Sequence, residues 1–169
     1  MSPTGAGLVR SFAAAATMRH AEAVALPAAD GPGSGPANDD DFAALSTALR
    51  ASGGLARGDE LARLLQERQR GDFVSLARLI ASRQVFSFQW QHSFWVPMLQ
   101  FETLDLSLRP APRQLALQLA PALDGWALAC WFARPHRGLA GRRPVDLLGS
   151  HLPELLVLAH ADRIAGMAS

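Results

Sequence analysis

The sequence predicts a mainly helical protein that contains one short β-hairpin. Most of residues 42–166 repeats apolar side chains three or four positions apart, which is the period of an amphipathic helix. Only residues 85–90 and 94–102 depart from this period, because they alternate or are rich in aromatic and β-branched side chains. Apolar residues make up 49% of the 169-residue chain and charged residues 18%, so a core of ordinary size can form.

Composition divides the chain into three regions, 1–41, 42–102 and 103–169. The first ends in "AADGPGSGPANDDD", which combines Pro, Gly and Ser with acidic residues, and we expect a disordered tail or linker there. Residues 42–100 carry seven arginines against four carboxylates, a net charge of +3. The third region is expected to be a small helical domain.

Three helices are predicted before the hairpin. "DFAALSTALRAS" is expected to start at Asp41 as its N-cap and to stop at Gly53-Gly54. "GDELARLLQERQRG" has its leucines on one face and is broken by the Gly-Asp pair that follows. "DFVSLARLIASR" is the third helix, and its predicted inward side chains are Leu76, Leu79 and Ile80.

The predicted hairpin pairs "VFSFQW" with "FWVPMLQFE" across a turn at "QHS". Proline lacks the backbone N–H that a central strand needs, so Pro97 predicts an edge position for the second strand.

The C-terminal region predicts four further helices. "RPAPRQLALQLAPAL" is followed by "DGWALACWFAR", for which Asp124 is the expected N-cap and Pro135 the limit. "PVDLLG" starts at Pro144. The last helix, "SHLPELLVLAHADRIAG", is expected to run from a Ser150 cap to a stop at Gly166.

Two helices joined by a short turn and followed by a hairpin indicate a helix-turn-helix with a wing. The side chains expected on the outer face of its second helix or just beyond it are Ser75, Arg78, Arg83 and Gln84. Arginine pairs with guanine and glutamine with adenine, so this face is a candidate for DNA binding. The alternative is a helical hairpin whose arginines are merely solvated.

Nothing in the sequence indicates catalysis, a metal or a cofactor. The five histidines are scattered without metal-binding spacing, and no nucleophile elbow is present. The single cysteine, Cys130, lies in an apolar run and is expected to be buried. No 18-residue apolar stretch exists, so we expect no membrane span and a cytoplasmic protein.

Two motifs resemble one family. "FWVPMLQFE" resembles the "yPaFQF" stretch of bacterial antitoxins of the Xre/MbcA/ParS type, and "DGWALACWFARPHRGLAGRRPVDLL" is similar to their toxin-binding domain. His136 stands where the family commonly has Asn. The positions that match the domain and that the resemblance marks as toxin-binding are Trp126, Trp131, Leu139, Gly141, Pro144, Leu147 and Leu148.

The resemblance implies a RES-domain toxin that consumes NAD as the partner, a homo-oligomer or a hetero-oligomer with that toxin, and repression of the protein's own promoter DNA. Trp126 is the tryptophan expected to be most exposed. Arg142 and Arg143 are expected on an exposed corner, where a guanidinium can clamp a partner's carboxylate. The alternative for them is a solvated structural turn. One alternative for the protein is a DNA-binding regulator without a toxin, whose C-terminal half serves dimerisation. A second is a small enzyme whose site the sequence does not mark.

Overall fold

The computed structural model describes residues 35–167, which form seven α-helices and one three-stranded antiparallel sheet. The prediction of a mainly helical fold with a hairpin is confirmed. Disorder was expected for residues 1–41, of which residues 1–34 lie outside the described residues. Asp39, Asp40 and Asp41 form the first turn of a helix, so the expectation is wrong for these three residues. The helices are α1 (Asp39–Leu49), α2 (Gly58–Glu67), α3 (Phe73–Ala81), α4 (Pro110–Leu119), α5 (Gly125–Ala133), α6 (Pro144–Leu147) and α7 (Leu152–Met167).

Helix α1 begins three residues earlier than the sequence predicted. The side chain of Asn38 caps it by accepting a hydrogen bond from the backbone N–H of Asp41 at 2.9 Å, so the prediction of Asp41 as the cap is wrong. Because Asn38 is the cap, three aspartates lie in the first turn of the helix, where the helix dipole favours negative charge. The predicted stop is confirmed, because Gly53 and Gly54 both have positive φ, which glycine adopts without strain.

The sheet has the order β1-β3-β2, from strands β1 (Leu55–Arg57), β2 (Phe88–Trp90) and β3 (Ser93–Pro97). The predicted hairpin is β2 and β3, and both residues of its turn, Gln91 and His92, have left-handed backbone. The sequence missed β1, which pairs with β3 through Leu55 and Pro97.

Strand β3 is therefore central, and the edge position predicted from Pro97 is wrong. Pro97 is tolerated because it is the last residue of its strand. The backbone N–H of the next residue, Met98, donates to the carbonyl of Gly54 at 2.9 Å. The pairing with the segment that contains β1 therefore continues beyond Pro97.

Helices α2 and α3 pack together on the sheet. The turn between them contains Gln69, which has φ of +55°, and Asp72, whose side chain accepts a hydrogen bond from the backbone N–H of Ser75 at 2.8 Å and caps α3. Leu76 is fully buried, as predicted, in a cluster with residues of α2, β3 and Phe101. Leu79 and Ile80 are half-buried against the same cluster.

The larger core contains both predicted structural regions. Leu45 and Leu49 of α1 are fully buried together with Phe132 of α5, and Phe86 stacks on Phe132 with ring centroids 5.7 Å apart. Residues from both sides of the predicted 102/103 boundary thus share one hydrophobic cluster.

Gln100 is a buried polar side chain that joins the sheet to the segment before it. Its amide donates to the carbonyls of Phe86 and Pro97 at 2.9 and 3.1 Å, and its carbonyl accepts from the Phe86 N–H at 2.9 Å. Every hydrogen-bonding atom of this buried amide therefore has a partner, as burial of an amide requires.

The ends of the C-terminal helices agree with the sequence in part. Asp124 caps α5, α5 ends before Pro135, and Pro144 starts α6, all as predicted. The last helix begins at Leu152 and continues through Met167, so neither the Ser150 cap nor the Gly166 stop is correct.

Candidate partner-binding and nucleic-acid-binding sites

The loop between α5 and α6 is closed by its own backbone. The N–H of His136 donates to the carbonyl of Arg142 at 3.1 Å, and the N–H of Gly141 donates to the carbonyl of His136 at 2.9 Å. Leu139, in the middle of the loop, is buried and anchors it to the core. Gly141 has φ of +77°, so glycine is needed at this position for the turn.

The two arginines that leave this loop have different environments. Arg142 is exposed, and its Nε donates only to the nearby carbonyl of Leu139 at 3.1 Å. Arg143 is half-buried: its Nε and Nη2 bind both oxygens of Asp146 at 2.7 and 2.8 Å, and its Nη1 donates to the carbonyl of Ala48 in α1 at 2.8 Å. The expectation of an exposed Arg143 is therefore wrong, because its guanidinium already holds an intramolecular carboxylate.

Most of the residues that the family pattern marks as toxin-binding lie in the core. Trp126 is only 7% exposed, so the expectation that it is the exposed tryptophan is wrong. Trp126 packs edge-on against Phe88, because α5 lies on strand β2. The other buried positions of the pattern are Trp131, Leu139, Pro144, Leu147 and Leu148. Of the nine predicted positions, Gly141 and Arg142 are exposed.

A polar cluster attaches α7 to the loop. Trp131 Nε1 donates to Asp162 Oδ2 at 2.7 Å, and the same oxygen lies 3.8 Å from His136 Nδ1. His136 Nε2 lies 3.2 Å from the carbonyl of Trp131, and the two rings are 5.2 Å apart. His136 is therefore a positioning residue of the fold rather than a solvated loop side chain.

Helix α7 has an apolar outer face that no described residue covers. Val157 and Ile164, seven positions apart on this helix, are 73% and 54% exposed, and Ala161 lies between them on the same face. Met167, in the last turn, is also exposed. This face was not predicted from the sequence, although the spacing of Val157, Ala161 and Ile164 on one side of a helix is a signal for it.

The outer face of α3 differs from the predicted one. Arg78 and Arg83 are exposed, as expected, and neither has an ion-pair partner among residues 35–167. Ser75 is half-buried, and its hydroxyl binds the capping carboxylate of Asp72 at 2.8 Å. Gln84 is half-buried, and its side-chain amide donates a hydrogen bond to the hydroxyl of Ser82. The structure thus removes Ser75 and Gln84 from the exposed face.

The exposed stripe of α3 consists of Val74, Ala77, Arg78 and Ala81, at the i, i+3, i+4 and i+7 positions of one helix face. Because Leu76, Leu79 and Ile80 were predicted to face inward, the sequence also indicated which residues lie on the opposite, outer face of α3. A stripe of methyl groups with one guanidinium can contact thymine methyl groups and one guanine in a major groove.

The described residues give no indication of a metal site or a reactive thiol. Within residues 35–167, no group of three His, Cys, Asp or Glu side chains is placed to hold a metal ion. Burial raises the pKa of the Cys130 thiol to about 11, so the thiolate is scarce at neutral pH. Among the same residues, no helix has the length and apolar character needed to cross a membrane.

A comparison with known proteins gave no match to a family model, a curated protein or a solved structure. The resemblance to the antitoxins therefore depends on the motifs in residues 94–148 alone.

Proposed function

We propose that this protein is an antitoxin-like regulator with two surfaces. Helix α3 and the hairpin bind promoter DNA, and the C-terminal helices bind and occlude a RES-type toxin that consumes NAD. No catalytic step is assigned to the chain. The observation that carries the DNA-binding part of the proposal is the element order α1-β1-α2-α3-β2-β3 with sheet order β1-β3-β2. A helix-turn-helix followed by a wing requires helices and a hairpin in this order.

The exposed stripe of α3 supports the DNA-binding part. It is free of carboxylates, and its single charged residue is Arg78. At the tip of the hairpin, the position from which a wing reaches a neighbouring groove or the phosphate backbone, His92 is exposed, whereas the amide of Gln91 donates to Asp39 Oδ1 at 2.8 Å. The charge of this region is modest, so a dimer on two half-sites is the expected binding form.

The test of DNA binding is the affinity of the full-length protein for its own promoter at fixed salt. Arg78→Ala should weaken specific binding by roughly 1–3 kcal/mol, the range for loss of a base contact. Arg113→Ala is the matched control, because Arg113 is exposed on α4 and its loss changes the net charge equally. Equal affinities of the two variants, or equal wild-type affinity for random and promoter duplexes, would refute sequence-specific binding through α3.

The toxin-binding part is supported by the exposed face of α7 and by the resemblance of residues 124–148. Val157, Ala161 and Ile164 form an apolar strip on a helix that is clamped to the loop by Asp162. An apolar helix face laid into a groove is a common mode of recognition between proteins. Arg142, exposed at the neighbouring loop, is the remaining candidate for a clamp on a toxin carboxylate.

The test is co-expression of the full-length protein with a RES-type toxin. We expect the toxin gene to lie beside the gene of this protein. Wild type should restore growth and co-purify with the toxin. Val157→Asp combined with Ile164→Asp should abolish both effects, because each carboxylate would be buried without a partner. Leu104→Asp, at an exposed aliphatic residue outside α7, is the matched control and should behave as wild type. DNA binding without any toxin binding would instead favour the regulator alternative.

A further inference from the structure

Two arginines at the turn between α2 and α3 hold an acidic loop of the same chain. Arg70 Nη2 lies 2.7 Å from Asp105 Oδ2, and Arg68 Nη1 donates to the carbonyl of Leu104. These contacts join residues 35 and 36 positions apart in sequence. The turn that leads into α3 is therefore fastened to residues 102–107, hereafter the acidic loop.

The acidic loop keeps its shape without the arginines. The N–H of Glu102 donates to Ser107 at 2.8 Å, and the N–H of Leu106 donates to Glu102 at 3.0 Å. The other oxygen of Asp105 accepts from the N–H and the hydroxyl of Ser107 at 3.0 and 2.7 Å. These hydrogen bonds, and to a lesser extent the charge of Arg70, lower the pKa of Asp105, so its carboxylate is ionised and held in place at neutral pH.

The arginine contacts are easily exchanged. The side chains of Arg70 and Asp105 are 49% and 46% exposed, and an ion pair with this exposure contributes little to stability because water competes for both groups. A phosphodiester has two non-bridging oxygens that share one negative charge, and these accept hydrogen bonds from a guanidinium as the two oxygens of a carboxylate do. It can therefore replace the acidic loop at Arg68 and Arg70 without a large loss of folding stability.

We propose that Arg68 and Arg70 form a phosphodiester-binding site that Asp105 occupies in the free protein, so that the acidic loop competes with nucleic-acid backbone for the α2–α3 turn. The site lies directly before α3 in the chain, at the edge of the face proposed for DNA. In a helix-turn-helix, the helix before the recognition helix crosses the backbone, so phosphate contacts belong at this end. The inference rests on the proposed DNA binding and adds to it a phosphate contact and an internal competitor.

The experiment measures affinity of the full-length protein for a random-sequence DNA duplex at several salt concentrations, because phosphate contacts do not depend on sequence. Asp105→Asn keeps the acceptor for Ser107 and removes the charge that holds Arg70. It should tighten binding by roughly two- to fivefold and steepen the logarithmic salt dependence by about 0.9, the value for one added phosphate contact. Arg70→Ala should weaken binding.

The control is Glu102→Gln, which removes the same charge from the same loop and loosens the 3.6 Å ion pair with Arg109, while Arg70 stays paired with Asp105. The decisive comparison is Asp105→Asn in the Arg70→Ala background, where the tightening should disappear. Tightening that persists there, or that Glu102→Gln reproduces in full, would mean a general charge effect and would overturn the competition. Unchanged affinity in Asp105→Asn, while Arg78→Ala still weakens promoter binding, would overturn this inference and leave the DNA-binding proposal intact. A wild type that binds no duplex would overturn both.

Discussion

Replacing Arg143 with alanine removes the contact through which the α5–α6 loop holds α1. The guanidinium donates to the carbonyl of Ala48 at 2.8 Å, across 95 positions of sequence, while its other nitrogens bind Asp146. Ala48 lies in the last turn of α1, where the helix dipole also favours a cation.

The expected loss in the free energy of unfolding follows from these contacts. A hydrogen bond from a charged donor contributes about 1.5–3 kcal/mol. The ion pair with Asp146 adds roughly 0–1 kcal/mol, because both side chains are partly exposed. Arg143→Ala should therefore lower the free energy of unfolding by about 2–3 kcal/mol, which for a chain of this size is a decrease of roughly 5–10 °C in melting temperature.

The assay is thermal and urea unfolding followed by circular dichroism, with two matched variants. Asp146→Ala removes the ion pair and keeps the contact with Ala48, so it should cost about 0–1 kcal/mol. Arg142→Ala removes an exposed neighbour and should cost within about 0.5 kcal/mol. If Arg143→Ala melts at the same temperature as Arg142→Ala, the guanidinium does not hold α1 and the reasoning is refuted.

Three further results are expected. Gly125→Ala should destabilise the fold severely, because its Cβ would lie 1.8 Å from the backbone oxygen of Ser87, the residue before β2. Gly149→Ala, with nothing within 4 Å, should leave the melting temperature nearly unchanged. Cys130 should resist a thiol reagent at pH 8 in the native state and react at the rate of unfolding, since burial raises its pKa to about 11; fast labelling of folded protein would contradict its burial. Hydrogen bonds from Ser75 lower the pKa of Asp72, so the stability difference between wild type and Asp72→Ala should be full at pH 7 and shrink as the pH falls below 3.8; a difference that grows in acid would contradict the capping role.

The spacing of apolar residues was sufficient to predict the helices, and the change to an alternating, aromatic-rich pattern was sufficient to predict the hairpin. Neither signal could predict β1, whose three residues are too few to show a period and which is a strand only because β3 lies beside it. The wrong edge position of β3 has the same origin. It was inferred from Pro97 alone, whereas the strand that pairs with β3 on that side, β1, comes from a distant segment of the chain.

The candidate site was predicted less well than the fold. Trp126 and Leu148 were expected to bind a toxin because of the family resemblance, but both lie in the core. Arg143 could not be placed from sequence, since its partner Ala48 is remote in the chain. The exposed face of α7 was readable from spacing, but which face of an apolar helix stays uncovered depends on the packing of its neighbours.

The most direct test of the antitoxin proposal is the rate of NAD consumption by the purified RES-type toxin during titration with the full-length protein. Inhibition should be stoichiometric and complete for wild type, and absent for the variant with Val157→Asp and Ile164→Asp, provided that this variant melts as wild type does. Undiminished NAD consumption in the presence of excess folded wild-type protein would contradict the account.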